Sequence, residues 1–114
     1  MLISTTDKLS GFEIVEYFGI VTGETVSGAN IIRDVMATVT DYVGGRSTAF
    51  EEEVGKARQS ALDEMTDRAR RLGADAVVGV SMDYETIGSR AAMIMVTAAG
   101  TAVRLRRVEV SFTK

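Results

Sequence analysis

The 114-residue chain contains no cysteine. It can form no disulfide and offers no thiolate as nucleophile or metal ligand. Histidine is absent as well. Together the two absences exclude Ser-His-Asp and Cys-His catalysis, structural zinc and most transition-metal sites. Lysine is scarce: Lys8, Lys56 and Lys114 make up the set. None of them lies in an apolar stretch that would activate it as a Schiff-base amine. No apolar run approaches the roughly 20 residues of a membrane span. The opening MLISTTDKLSG has neither the basic start nor the apolar core of a secretory signal. A cytoplasmic protein is expected.

An excess of positive charge is also missing. The formal net charge is −3 and the isoelectric point about 4.9. Phosphate neutralisation dominates nucleic-acid affinity, so a general polyanion binder is not expected. RLRR at 104–107 is the one basic cluster, and it reads as a solvated strand end.

What the chain does have is apolar content of 46%, enough for a folded core. Its length suits a single domain over 1–114, with 106–114 as a C-terminal tail or extra strand. MLIST reads as a short first strand. FEIVEYFGIVTGETV, 12–26, is rich in β-branched and aromatic residues, with Phe12, Ile14, Phe18 and Ile20 on one face and Val15, Tyr17 and Val21 on the other. In GANIIRDVMATVTDYV a helical stripe runs from Ile31 to Val43, with Asn30 as N-cap and Gly44 as stop.

A stronger helix follows. Thr48 and Glu51 have capping-box spacing, and Phe50, Val54, Ala57, Ala61, Met65, Ala69 and Leu72 recur at intervals of three or four. Gly73 ends it. ADAVVGVSMDYETIG, 74–88, alternates, with Ala76, Val78, Val80, Met82 and Tyr84 on one face and Gly79, Ser81, Asp83 and Glu85 on the other. AAMIMVTAAGTAVRL, 91–105, is apolar on both faces. VEVSF alternates again, as a last strand or an extension reaching a neighbour.

The expected fold is α+β: a small antiparallel sheet covered on one face by two helices. Two strands apolar on both faces would then expose a patch of the kind that marks interfaces. A homo-oligomer is expected.

Three polar clusters are candidates for a site. GGRS, Gly44 to Ser47, offers glycines, the cation of Arg46 and a helix start behind it, as an anion loop would. The P-loop pattern is absent, however, and Glu51, Glu52 and Glu53 already occupy the first helical turn. A corner between helices is the favoured reading, with Arg46 paired to an acid. Asp83 and Glu85 share a strand face beside Ser81. They could perform acid–base work or bind a hard cation, or form a solvated strand face. Arg33 and Asp34 could join them or pair with each other. Met82, Met93 and Met95 suggest a soft-metal site, although core filler is the commoner use of methionine.

At GIVTGETVSGANIIRD, DYVGGRS, RRLGADAVVGV and DYETIG the chain closely resembles the YbjQ-like family of small bacterial and archaeal proteins. The likeness covers about residues 2–105, in the family's order. It implies a dodecin-like subunit and a homopentameric ring in which strands of neighbouring subunits close a barrel-like core. It also implies metal binding, from the family's heavy-metal label. Arg33, Asp34, Gly44, Gly45, Arg46, Ser47, Asp83, Tyr84, Glu85 and Gly88 stand in the resembling motifs, where the family supplies no catalytic role. Heavy metals prefer thiolate or imidazole. Here the donors left are oxygens of Asp34, Ser47, Asp83 and Glu85, or thioethers.

The resulting expectation is a cytoplasmic, non-enzymatic ring that binds a small ligand or ion at its subunit junctions. Arg33, Asp34, Gly44–Ser47 and Asp83–Glu85 are its candidate ligand-binding residues, and Asp83 and Glu85 its metal candidates. No cofactor is specified, and neither nucleic acid nor membrane is an expected partner. Two alternatives stand beside it: a purely structural oligomeric scaffold, and a hydrolase or lyase using Asp83 and Glu85 as acid and base.

Overall fold

Two stretches dense in β-branched residues become the long strands β2 (Phe12–Ser27) and β4 (Met93–Arg107). They pair antiparallel from Phe12 opposite Arg107 to Ser27 opposite Ile94. The other side of β4 pairs antiparallel with β3 (Ala76–Ile87). A two-residue strand, β1 (Leu2–Ile3), lies outside β3 and parallel to it. The sheet order is β1-β3-β4-β2. These elements belong to a computed structural model that describes residues 1–27, 48–87 and 93–108.

The sheet is therefore mixed, which corrects the expectation of an antiparallel one. The cause lies in the first segment. Ser4 N–H donates to Val77 O (3.0 Å), Val80 N–H to Ser4 O (3.0 Å) and Gly79 N–H to Thr6 O (2.8 Å). These bonds hold residues 2–6 along the outer edge of β3. The chain then crosses the sheet to begin β2 at the opposite edge. Parallel neighbours require a crossover, and β2 and the following helix both intervene in the chain between β1 and β3.

That helix, α1 (Thr48–Arg71), follows the spacing read from the sequence. Ala57, Ala61, Met65 and Ala69 are buried, one turn apart, against Val21, Val77, Val96, Ala98 and Ala102. Glu51 sits in the first turn, and Arg68, Arg70 and Arg71 in the last, each sign complementing the helix dipole. Gly73 closes α1. Its N–H donates to Arg70 O (2.9 Å), and Ala74 N–H reaches back to Ala69 O (3.1 Å), the bond pair of a Schellman ending. Among the described residues α1 is the one helix covering the sheet. The second helix expected, over 30–43, lies outside the described residues.

Small side chains let α1 settle directly on the sheet. At Gly23 in β2 an added Cβ would collide with the carbonyl oxygen of Ala61 and stand 2.7 Å from the amide of Met65. The interface is backbone against backbone there, and only glycine fits.

Irregular pairing rearranges the expected strand faces. β2 shifts register between Ile14 and Glu16 and again between Tyr17 and Gly19, and β3 shifts between Val78 and Ser81. Each added residue turns the following side chains to the other face. Ile14 consequently packs with Ala76, Val78 and Val103 on the side away from α1, while Phe18 packs on the α1 side. In β3, Val77 faces α1, and so do Val80 and Met82 beyond the bulge. Ala76, Val78, Val80 and Met82 therefore do not share a face. Gly79, with φ of +61°, makes that switch.

Candidate functional site

The sheet face opposite α1 is where the candidate residues converge. At one end, buried Ala76, Val78 and Val103 lie under Leu9, Ile14 and Leu105. Leu9 belongs to the crossing segment between β1 and β2, so that segment roofs this end. Beyond it the face has no cover among the described residues. Residues directly opposite in neighbouring strands share a face. Asp83 stands opposite Thr97, which stands opposite Glu24. In the next row Glu85 stands opposite Met95, and Met95 opposite Val26. Ile20 is 80% exposed and Val26 50%.

Asp83 and Glu85 share this open face, as their spacing requires, and both are exposed. Tyr84 points to the other side, where its hydroxyl accepts from Arg58 Nη1 of α1 at 3.3 Å. The sheet thus divides the Asp83–Tyr84–Glu85 motif between its faces. Neither carboxylate lines either of the two cavities described. Arg33, Asp34, Gly44, Gly45, Arg46 and Ser47, with Gly88, lie outside the described residues. Met95 belongs to the open face with Met93, whereas Met82 packs towards α1. The methionines thus do not form one cluster.

A feature that no motif announced is a cavity of about 750 Å³ at the roofed end. Leu9, Phe12, Ile14 and Val78 supply apolar surface, Tyr17 a wall, and Asp7 and Lys8 a charged rim. The sequence signals for it are slight: the turn-forming TDKLSG, which becomes the roof, and Gly79, which breaks an otherwise even alternation.

The basic cluster is answered locally. Arg104 Nε meets Glu16 Oε1 at 3.1 Å and Arg106 Nη2 meets Glu13 Oε2 at 2.8 Å. Arg104 also lies over the Phe18 ring, 5.3 Å from its centroid, and Arg107 over Phe12 at 5.9 Å. A third ion pair shields an edge. Glu64 and Arg68, 3.0 Å apart on α1, reach the outer edge of β2. There Arg68 Nη1 donates to Thr22 O (2.9 Å), and Glu64 Oε1 accepts from Glu24 N–H (3.4 Å). These contacts occupy backbone groups that would otherwise invite another strand.

Taken together, the elements define an α+β domain with one helix laid on a mixed four-stranded sheet. Residues 1–106 match the model of the YbjQ family, described as "putative heavy-metal-binding", and the chain belongs to that family. The crystal structure of a protein of unknown function of the DUF74 family, from Pediococcus pentosaceus, is similar in fold. Its TM-score is 0.52 at 18% identity, over 93% of this chain and 98% of that one.

The residues here do not fit a heavy metal. Thiolate and imidazole donors are absent from the whole chain. Among the described residues no group of three or more Asp or Glu could hold an ion. Also among the described residues, no helix is long and apolar enough to cross a membrane.

Proposed function

We propose that the chain works as a cytoplasmic homo-oligomeric ring, a pentamer by the family resemblance, which binds a small ligand or ion at the junctions between subunits. The observation that carries this reading is the half-covered sheet. α1 covers one face, while the other leaves Ile20, opposite Thr101, 80% exposed and, further along β2, Val26 50% exposed beside Met95. Apolar residues adjoining on one sheet face favour burial against another surface. The polar residues interleaved with them, Asp83, Glu85 and Thr97, would then lie at a junction, where a ligand could meet two chains.

A purely structural scaffold is the second reading. The absence of thiolate and imidazole donors from the sequence and of a carboxylate cluster among the described residues favours it. The hydrolase or lyase reading has the least support: Asp83 and Glu85 are exposed on a strand, outside either cavity.

Native mass spectrometry on protein prepared without chelator or added metal separates these readings. The expected result is a pentamer carrying a reproducible additional mass. A pentamer of bare chains would support the scaffold instead, and a monomer would overturn both.

A further inference from the structure

The cavity at the roofed end of the open face is bounded by Val108 as well as by Leu9, Phe12, Ile14 and Val78. Val108 is the last residue described after β4, and its N–H donates to Gly11 O at 2.9 Å. The chain is therefore delivered to the cavity mouth and pinned there. The side of the cavity formed by Gly79 is open: nothing lies within 4 Å of where a Cβ at that position would stand.

The sequence that follows is EVSFTK, 109–114. With Val108, its apolar residues alternate: Val108, Val110, Phe112. Such a period places them on one side of an extended segment. A glutamate begins it and a lysine stands at 114, opposite in sign to Lys8 and Asp7 on the cavity rim. Asp7 and Lys8 have no ionic partner among the described residues. The segment lies beyond the family match, which ends at 106.

We propose that segment 109–114 is an arm that seats Val110 and Phe112 in the cavity of a neighbouring copy of the chain. It rests on the oligomer reading above and names a contact within it. A second copy is favoured over the same chain by two facts. Val108 already forms part of its own cavity wall, so the segment would have to reverse at once to re-enter. EVSFTK contains no glycine or proline to make that reversal. Six residues in extended form reach roughly 20 Å beyond the cavity mouth. A cavity of about 750 Å³ falls within the usual range for small-ligand pockets and admits two side chains of this kind. Alternate side chains entering pockets while the backbone runs along a surface is a recurrent mode of peptide recognition.

The absence of native cysteine makes the test clean. Chains carrying Phe112→Cys, labelled with nitrogen-15, are mixed with unlabelled chains carrying Tyr17→Cys, reassembled and mildly oxidised. Tyr17 lines the cavity and is 69% exposed, so the change is tolerable. Each chain has one thiol, so any disulfide joins two chains. The expected product is a peptide pair linking labelled position 112 to unlabelled position 17. In the double variant, a disulfide within single chains would overturn the proposal in favour of self-docking. An oligomer of unchanged native mass with no 112–17 link would overturn the arm alone. A monomeric native mass for the unmodified protein would remove the oligomer reading and the arm with it. As a second measure, a chain ending at Val108 is expected to bind the dye anilinonaphthalene sulfonate several-fold more brightly, because its cavity is vacated. Equal brightness would count against the arm.

Discussion

The two faces of one sheet differ in how far the described residues complete them. On the α1 side, Ala61, Met65, Ala69, Val77, Val96, Ala98 and Ala102 are all shut off from water. Helix and strands touch there through alanine and glycine, with Met65, Val77 and Val96 filling the space between them. On the other side only Ala76, Val78 and Val103 are buried, beneath the roof of residues 7–14. Beyond it the β-branched and methionine side chains of β2 and β4 have cross-strand neighbours but no covering layer among the described residues. The same strands supply both faces. The contrast therefore shows that their composition exceeds what one helix and one loop can cover, and that the surplus is concentrated on one side.

The comparison can be tested by removing contacts from each face in turn. Met65→Ala should have the largest effect. Met65 is among the largest fully buried side chains, and its loss leaves a cavity, so about 3 kcal/mol of unfolding free energy should disappear in a denaturant titration. Gly23→Ala should follow at about 2 kcal/mol or more. Its new Cβ meets the backbone of Ala61 and Met65, which cannot swing aside as a side chain can. A near-neutral Gly23→Ala would show that α1 does not lie so close. Gly79→Ala should cost about 1–2 kcal/mol. Nothing blocks its Cβ, so the loss would come from the left-handed backbone alone. Thermal melts of the three variants should fall in that order.

The covered face was largely legible from sequence, and the open face was not. The stripe Ala57–Ala61–Met65–Ala69 and the stop at Gly73 are local signals, governed by helical spacing and a glycine ending. Each appears where it was read. The strand faces were misread because alternation carries no mark of a bulge. The shifts at Ile14–Glu16, Tyr17–Gly19 and Val78–Ser81 depend on which strand lies alongside, a long-range fact. The parallel placement of β1 was hidden for the same reason: two residues cannot declare their partner. Glu64 and Arg68 stand four residues apart, a spacing that suits a helix pair but carries no mark of a shield for the edge of β2. Asp83 and Glu85 were correctly placed on one strand face. Their neighbours Thr97 and Glu24 come from two other strands and could not be listed in advance.

The smallest intrinsic effect belongs to the open face, and it discriminates most sharply. In a single chain, Ile20→Ser removes a side chain that is already 80% in water, and such surface changes stay within about 0.5 kcal/mol. If the open face remains bare in solution, the variant should melt like the unaltered protein at every concentration. If neighbouring copies cover it, Ile20 is buried in the assembly. The variant should then fall behind the unaltered protein as concentration rises, because association stabilises the unaltered fold by mass action. We expect the second outcome: near-identical melting at high dilution, and a gap of several degrees at high concentration. Identical melting throughout would mean that Ile20 lies outside any interface, and the contact between copies would have to be sought elsewhere on the sheet.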